Sequence, residues 1–139
     1  MEFKLNENQE MIRDLARDYA QNYLEPRVEE IESAEKFPDD LFRVMAEMGF
    51  ISMNFPEQYG GSDLGYVATS MAIEEISRVS GSAGTVLTVT LLPLEAINMY
   101  GTEEQKQKYL VPLAKGEKLG AFGLTEPGAG TDAQGQQTK

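Results

Sequence analysis

Between Ser82 and Met99 the chain is apolar on almost every side until Pro93 and Glu95, through Ala83, Val86, Leu87, Val89, Leu91, Leu92 and Leu94. A helix that is hydrophobic all round has no face to offer water, so other elements must enclose it. The spacing predicts a helix capped at Ser82 and running to about Met99. Its uninterrupted apolar part, Ala83 to Leu94, includes threonines and falls short of the ~20 residues that a bilayer crossing needs. The expectation is a central helix inside a packed bundle.

The neighbours that would enclose it are legible in order. Asn6 followed by Gln9 reads as a capping box, and Met11/Ile12, Leu15/Ala16, Tyr19/Ala20 and Tyr23/Leu24 then recur on one helical face until Pro26 interrupts. Val28 and Ile31 carry a short helical segment to a turn at Glu35 and Lys36. A further helix is expected to begin near Pro38 with Asp39 and Asp40 in its first turn, to bury Leu41, Phe42, Met45 and Met48, and to stop at Gly49. Phe50 to Phe55 reads as extended, and Pro56 to Gly65 as a loop. Val67/Ala68, Met71/Ala72, Ile76 and Val79 define another helix from Tyr66. Its adjacent Glu74 and Glu75 point about 100° apart, so they read as a solvated or ion-paired face without a catalytic role. Thr102 with Gln105 is a second capping box; Lys115 and Gly116 close that segment, and Pro112 should kink or end its last turn.

Composition narrows the chemistry. With 139 residues, 41% of them hydrophobic, the chain can bury a real core. It has no cysteine and no histidine, which excludes disulfides, thiolate metal sites and any Ser-His-Asp or Cys-His system; no metal site is expected. A formal charge of −11 disfavours nonspecific binding to nucleic acid and to anionic membranes. No basic n-region with an apolar h-region follows Met1, and the cytoplasm is the expected location.

The chemistry-bearing stretch is Phe122-Gly-Leu-Thr-Glu-Pro-Gly-Ala-Gly-Thr131, followed by Asp132. Leu119 to Leu124 reads as a short strand that can lie close to a flat ligand, because glycines remove side-chain bulk. Pro127 and Gly128 suit the two central positions of a type II turn, with positive φ at the glycine. Beyond them, Gly130 and Thr131 expose N–H groups and a hydroxyl, a concavity suited to phosphate or carbonyl oxygens. Gly128 to Ala133 also satisfies the G-x-G-x-x-G/A dinucleotide fingerprint, but that reading needs a helix opening at the second glycine. Gln134 to Thr138 has no helical period. A plain Gly/Pro turn without a ligand is the other alternative.

The run Gly123-Leu-Thr-Glu-Pro-Gly-Ala-Gly-Thr-Asp-Ala-Gln-Gly135 resembles, without a gap, the first signature of the acyl-CoA dehydrogenase family. Pro56-Glu-Gln-Tyr-Gly-Gly61, Ile73-Glu-Glu75 and Tyr100-Gly-Thr-Glu-Glu-Gln-Lys106 fall in that family's order and spacing. Leu119 to Thr138 looks most like the short-chain, butyryl-CoA enzymes of anaerobic bacteria. The resemblance implies an all-α N-terminal domain, here residues 1–117, entering a β-barrel domain whose first strand lies in 118–139. It also implies FAD and the oxidation of a short-chain acyl-CoA to the trans-2-enoyl-CoA, or the reverse reduction. In the family a glutamate base takes the α-proton while hydride leaves Cβ for flavin N5, and that base is expected beyond Lys139, so no catalytic residue is assigned here. By resemblance, Phe122, Leu124 and Thr125 contact the isoalloxazine edge, while Gly130 and Thr131 approach the pyrophosphate or the CoA moiety. Core packing for Phe122 and turn capping for Thr125 and Thr131 are the plain alternatives. Leu87, Thr88 and Leu91 on the apolar helix are candidates for the acyl-chain wall. The implied partners are the acyl-CoA substrate and an electron-transferring flavoprotein, and the implied assembly is a homotetramer. A non-catalytic helical module that binds acyl-CoA or a protein is the rival from another class.

Overall fold

The computed structural model describes residues 4–36 and 39–138. Its helices are α1 (Glu7–Tyr19), α2 (Val28–Ser33), α3 (Asp39–Glu47), α4 (Gly65–Val79), α5 (Gly81–Tyr100), α6 (Glu103–Gln105) and α7 (Val111–Ala114), with no strand among the described residues. Pro38, the expected start of the second helix, lies outside them. α1 packs along α4 and α4 along α5, while α3 and the helical stretch through residues 106–110 close on α5 from other sides. The apolar helix is enclosed on one side only: Ala83, Leu87 and Leu94 are wholly buried, whereas Val89 and Leu92 remain about half exposed, short of the full enclosure its composition implies.

α5 is longer than its sequence pattern implies. The cap is Ser80 rather than Ser82: Ser80 Oγ accepts the Ala83 N–H at 3.1 Å and donates to Glu32 Oε1 at 3.0 Å. Ser82 Oγ is instead taken by Glu32 Oε2 at 2.7 Å, so one carboxylate on α2 gathers both hydroxyls at the entry to α5. At the other end the helix runs through Pro93 to Tyr100. Its 20 residues are long and apolar enough to cross a bilayer by length and composition, yet the face through Ala83, Leu87, Leu91 and Leu94 is buried against protein. Thr85, Thr88 and Thr90 hide their hydroxyls by donating to the carbonyl four residues earlier, at 2.9, 2.8 and 2.7 Å.

Two other prolines act differently. Pro26 and Pro112 each follow a π-turn, Ala20–Leu24 and Lys106–Leu110 respectively. A proline ring clashes with the carbonyl four residues back, which is Asn22 in one case and Lys108 in the other. Both lie inside the widened turn, where the extra residue relieves that clash. The expected interruption and kink therefore appear as expanded helical turns.

Two stretches read as extended adopt other structure. Phe50 to Phe55 is a chain of turns, with the Ser52 N–H bonded to Gly49 O and the Phe55 N–H to Ser52 O, and Phe50, Ile51, Met53 and Phe55 are all buried. The loop that follows ties this stretch down, the N–H groups of Ser62, Asp63 and Leu64 donating to the carbonyls of Ser52, Phe55 and Met53. Leu119 to Leu124 carries no ladder, since a strand exists only beside a partner and none of the described residues supplies one.

Candidate ligand site beside α5

After α7 the chain turns at Gly116, whose φ of +69° suits a helix C-terminus, and crosses α5 at Pro93. A β-carbon on Gly120 would lie 2.7 Å from Pro93 Cγ and 3.4 Å from Leu113 Cδ2, so only glycine allows this approach. The crossing leaves a groove of about 300 Å3 between Val89, Thr90 and Leu92 of α5 and residues Leu119 to Phe122. Its walls are apolar and open: Val89 is 45% exposed, Leu92 46% and Phe122 47%. Phe122 is therefore not a core residue of this chain. Leu124 is exposed as well.

Beyond the groove, Glu126 and Ala129 exchange both backbone hydrogen bonds, N to O at 2.9 and 3.2 Å, around Pro127 and Gly128. The expected left-handed residue is absent: positive φ occurs at Gly49, Gly60, Gly65 and Gly116 but not at Gly128. Pro127 fixes the first central φ in type I and type II turns alike, and the reciprocal pair closes without the type II geometry. The N–H groups of Gly130 and Thr131 have no acceptor among the described residues. The side-chain bonds of this segment come from Gln136 and Glu126, and the hydroxyls of Thr125 and Thr131 make none, so neither serves as a cap. These unengaged groups lie in one exposed turn at the end of the apolar groove. They fit a ligand that joins a flat or acyl apolar part to anionic or carbonyl oxygens. After Gly130 comes only the single 3-10 turn Ala133–Gly135, with no strand before it, so the dinucleotide-fold alternative lacks both of its elements.

The acyl-wall candidates separate. Leu87 and Leu91 are buried in the core, and Thr88 is exposed on α5 with its hydroxyl on Gly84 O. Val89 and Leu92, which face the groove, were not singled out by sequence; their i, i+3 spacing on the side of α5 away from Leu87 and Leu91 is the signal that marks them. Away from the groove, Glu75 is held by Arg17 through a bidentate pair at 2.7 and 3.1 Å, with Arg78 at 3.6 Å. The hydrogen bond from Arg17 pulls its carboxyl below the ordinary value against the opposing effect of burial. Glu74 faces solvent.

Residues 6–117 match the family model described as acyl-CoA dehydrogenase, N-terminal domain. The chain is 47% identical over 139 residues to the short-chain specific acyl-CoA dehydrogenase of Clostridium acetobutylicum, covering 99% of this chain and 37% of that protein. It superposes with a TM-score of 0.92 and 48% identity on a chain in the structure of the electron transferring flavoprotein of Acidaminococcus fermentans, across 99% of this chain and 36% of that one. An acyl-CoA dehydrogenase of Bacillus anthracis complexed with FAD gives a TM-score of 0.84 at 36% identity, across 96% of this chain and 23% of that one. The chain thus spans little more than a third of the length of the curated relative, 37%.

Proposed function

Because the chain belongs to the acyl-CoA dehydrogenase family, we infer that the α5 groove and the turn after it are one wall of a site for FAD and a short-chain acyl-CoA thioester. The observation that carries this is the meeting of an apolar groove with a turn whose N–H groups and threonine hydroxyls are left unengaged. The reaction is α,β-dehydrogenation to the trans-2-enoyl-CoA, or its reverse, with electrons exchanged with an electron-transferring flavoprotein. The longer protein is a homotetramer in this reading.

Each residue has a task that its geometry supports. Phe122 and Leu124 present apolar surface to the isoalloxazine edge, and the Thr125 hydroxyl donates to it. The Gly130 and Thr131 N–H groups meet phosphate or carbonyl oxygens of FAD or CoA, which matters in a chain of net charge −11, where cations are scarce. Val89 and Leu92 line the acyl chain, with Thr88 beside them on the exposed side of α5 and Leu87 and Leu91 behind. Bound FAD supplies the hydride acceptor, while this part of the protein contributes position and exclusion of water.

The test uses the longer protein. Stoichiometric FAD and turnover of butyryl-CoA with an artificial electron acceptor are expected. Leu92→Ala should move relative kcat/KM from C4 toward C6 and C8, within the roughly 1–3 kcal/mol per methylene that an apolar pocket can discriminate. A protein without flavin would sink the reading, and an equal fall for all three chain lengths would remove Leu92 from the acyl wall.

A further inference from the structure

The turn after the groove has no sheet beneath it, yet its two ends are tied together. Glu126 turns its carboxylate onto backbone eleven and twelve residues downstream. The Gln137 N–H donates to Oε2 and the Thr138 N–H to Oε1, each at 2.9 Å. Gln136 Nε2 donates to the Leu124 carbonyl at 2.7 Å. No backbone-to-backbone hydrogen bond joins 124–126 to 136–138 among the described residues. The loop is therefore closed by side chains, and Glu126 provides two of its three ties. Bonds from backbone N–H to an ionised carboxylate are stronger than their neutral counterparts. Glu126 is also only partly exposed, and its turn partner Ala129 is buried, while Thr125, Pro127 and Gly128 are exposed.

We propose that Glu126 is a positioning residue whose carboxylate clasps the 124–138 loop, so that the Thr125 hydroxyl and the Gly130 and Thr131 N–H groups hold one arrangement before a ligand arrives. This rests on the flavin and acyl-CoA reading above. Glu126 itself touches no ligand in this scheme; it removes loop freedom that binding would otherwise have to remove. The carboxylate is needed because it accepts at both oxygens. A glutamine keeps one accepting oxygen and turns an amide NH2 toward the other N–H.

The experiment compares the FAD-loaded longer protein with Glu126→Ala, Glu126→Gln and Gln136→Ala. It reads amide hydrogen exchange at Gln137 and Thr138, the flavin dissociation constant and kcat/KM for butyryl-CoA. Glu126→Ala should lose protection at both amides and weaken FAD binding about tenfold or more, from two lost charge-assisted bonds. Glu126→Gln should fall between it and the parent, and Gln136→Ala should be milder still, all with unchanged helical circular dichroism. Unchanged exchange at Gln137 and Thr138 in Glu126→Ala overturns the clasp. Faster exchange with unchanged flavin affinity and kcat/KM leaves a structural tie and overturns the positioning role. A parent protein that holds no FAD overturns the functional reading itself, an outcome visible before any variant is made.

Discussion

The helical bundle and the segment from Glu117 to Thr138 face the same demands, a partner for each polar group and cover for each apolar one, and meet them in opposite ways. In the bundle the chain is for the most part its own partner, the buried Tyr19 hydroxyl being left without one among the described residues. Asn6 and Thr102 close capping boxes, Ser80 caps α5, the α5 threonines bond their own helix, and Phe50, Phe55 and Leu87 have no exposure. In the last segment Leu119, Phe122 and Leu124 are about half exposed, and the N–H groups of Gly130 and Thr131 meet no acceptor among the described residues. Closure inside the chain makes the fold. Groups left open on a segment anchored by Gly120 and Glu126 are what a ligand or a further domain can use.

The contrast is broken most directly by truncating one large apolar side chain on each side. Leu87→Ala should cost roughly 2–5 kcal/mol in urea unfolding, as for a fully buried leucine. Phe122→Ala should stay within about 0.5 kcal/mol, and equal losses would mean that the last segment is part of the core. Next in size, Ser80→Ala should cost about 0.5–2 kcal/mol through the lost cap. Ser82→Ala should cost less, because Ser82 Oγ meets only Glu32; a larger loss at Ser82 would place the cap where the sequence pattern puts it.

A smaller effect should come from acid. The Glu75 carboxyl is pulled below its ordinary value near 4.5 by Arg17. Its contribution to stability is therefore complete above that value and lost as pH falls through the lowered one. Thermal unfolding followed downward from pH 5 should show a steeper decline in the parent than in Glu75→Gln, and parallel curves would remove the pair from the balance. Smallest of all, Thr125→Val should leave unfolding unchanged, since its hydroxyl has no partner in this chain. In the FAD-loaded longer protein it should weaken flavin binding by about 0.5–1.5 kcal/mol, one neutral hydrogen bond. A measurable loss of stability in the flavin-free protein would mean that the hydroxyl serves the turn.

Helices with their own signals were readable residue by residue: the Asn6 and Thr102 boxes, the face through Ile12, Ala16 and Tyr19, and the course of the long apolar α5, though not its open side at Val89 and Leu92. Reading failed where the deciding partner lies far along the chain. Ser82 looks like the cap until Glu32, fifty residues earlier, takes its hydroxyl. Phe50 to Phe55 looks like a strand because its apolar content suits one, and only the N–H groups of residues 62–64 make its turns viable. At the candidate site, the glycine-rich turn and its exposed donors were legible from residue types alone. The groove was not, because Val89 and Leu92 differ from Leu87 and Leu91 only in which neighbour covers them, and Glu126 binds backbone that no local pattern links to it.

The buried turns from Phe50 to Phe55 carry a further consequence, for how this chain can change over evolutionary time. Connecting segments ordinarily absorb insertions and are the first places a protease cuts, because they lie at the surface. This one lies inside, and Gly61 is pressed so closely on the Phe55 carbonyl that a β-carbon there would overlap it. An added residue would have to displace core side chains. The stretch with the least regular secondary structure in the bundle should therefore be among the most constant in length across descendants of this sequence and among the last to be nicked in limited proteolysis.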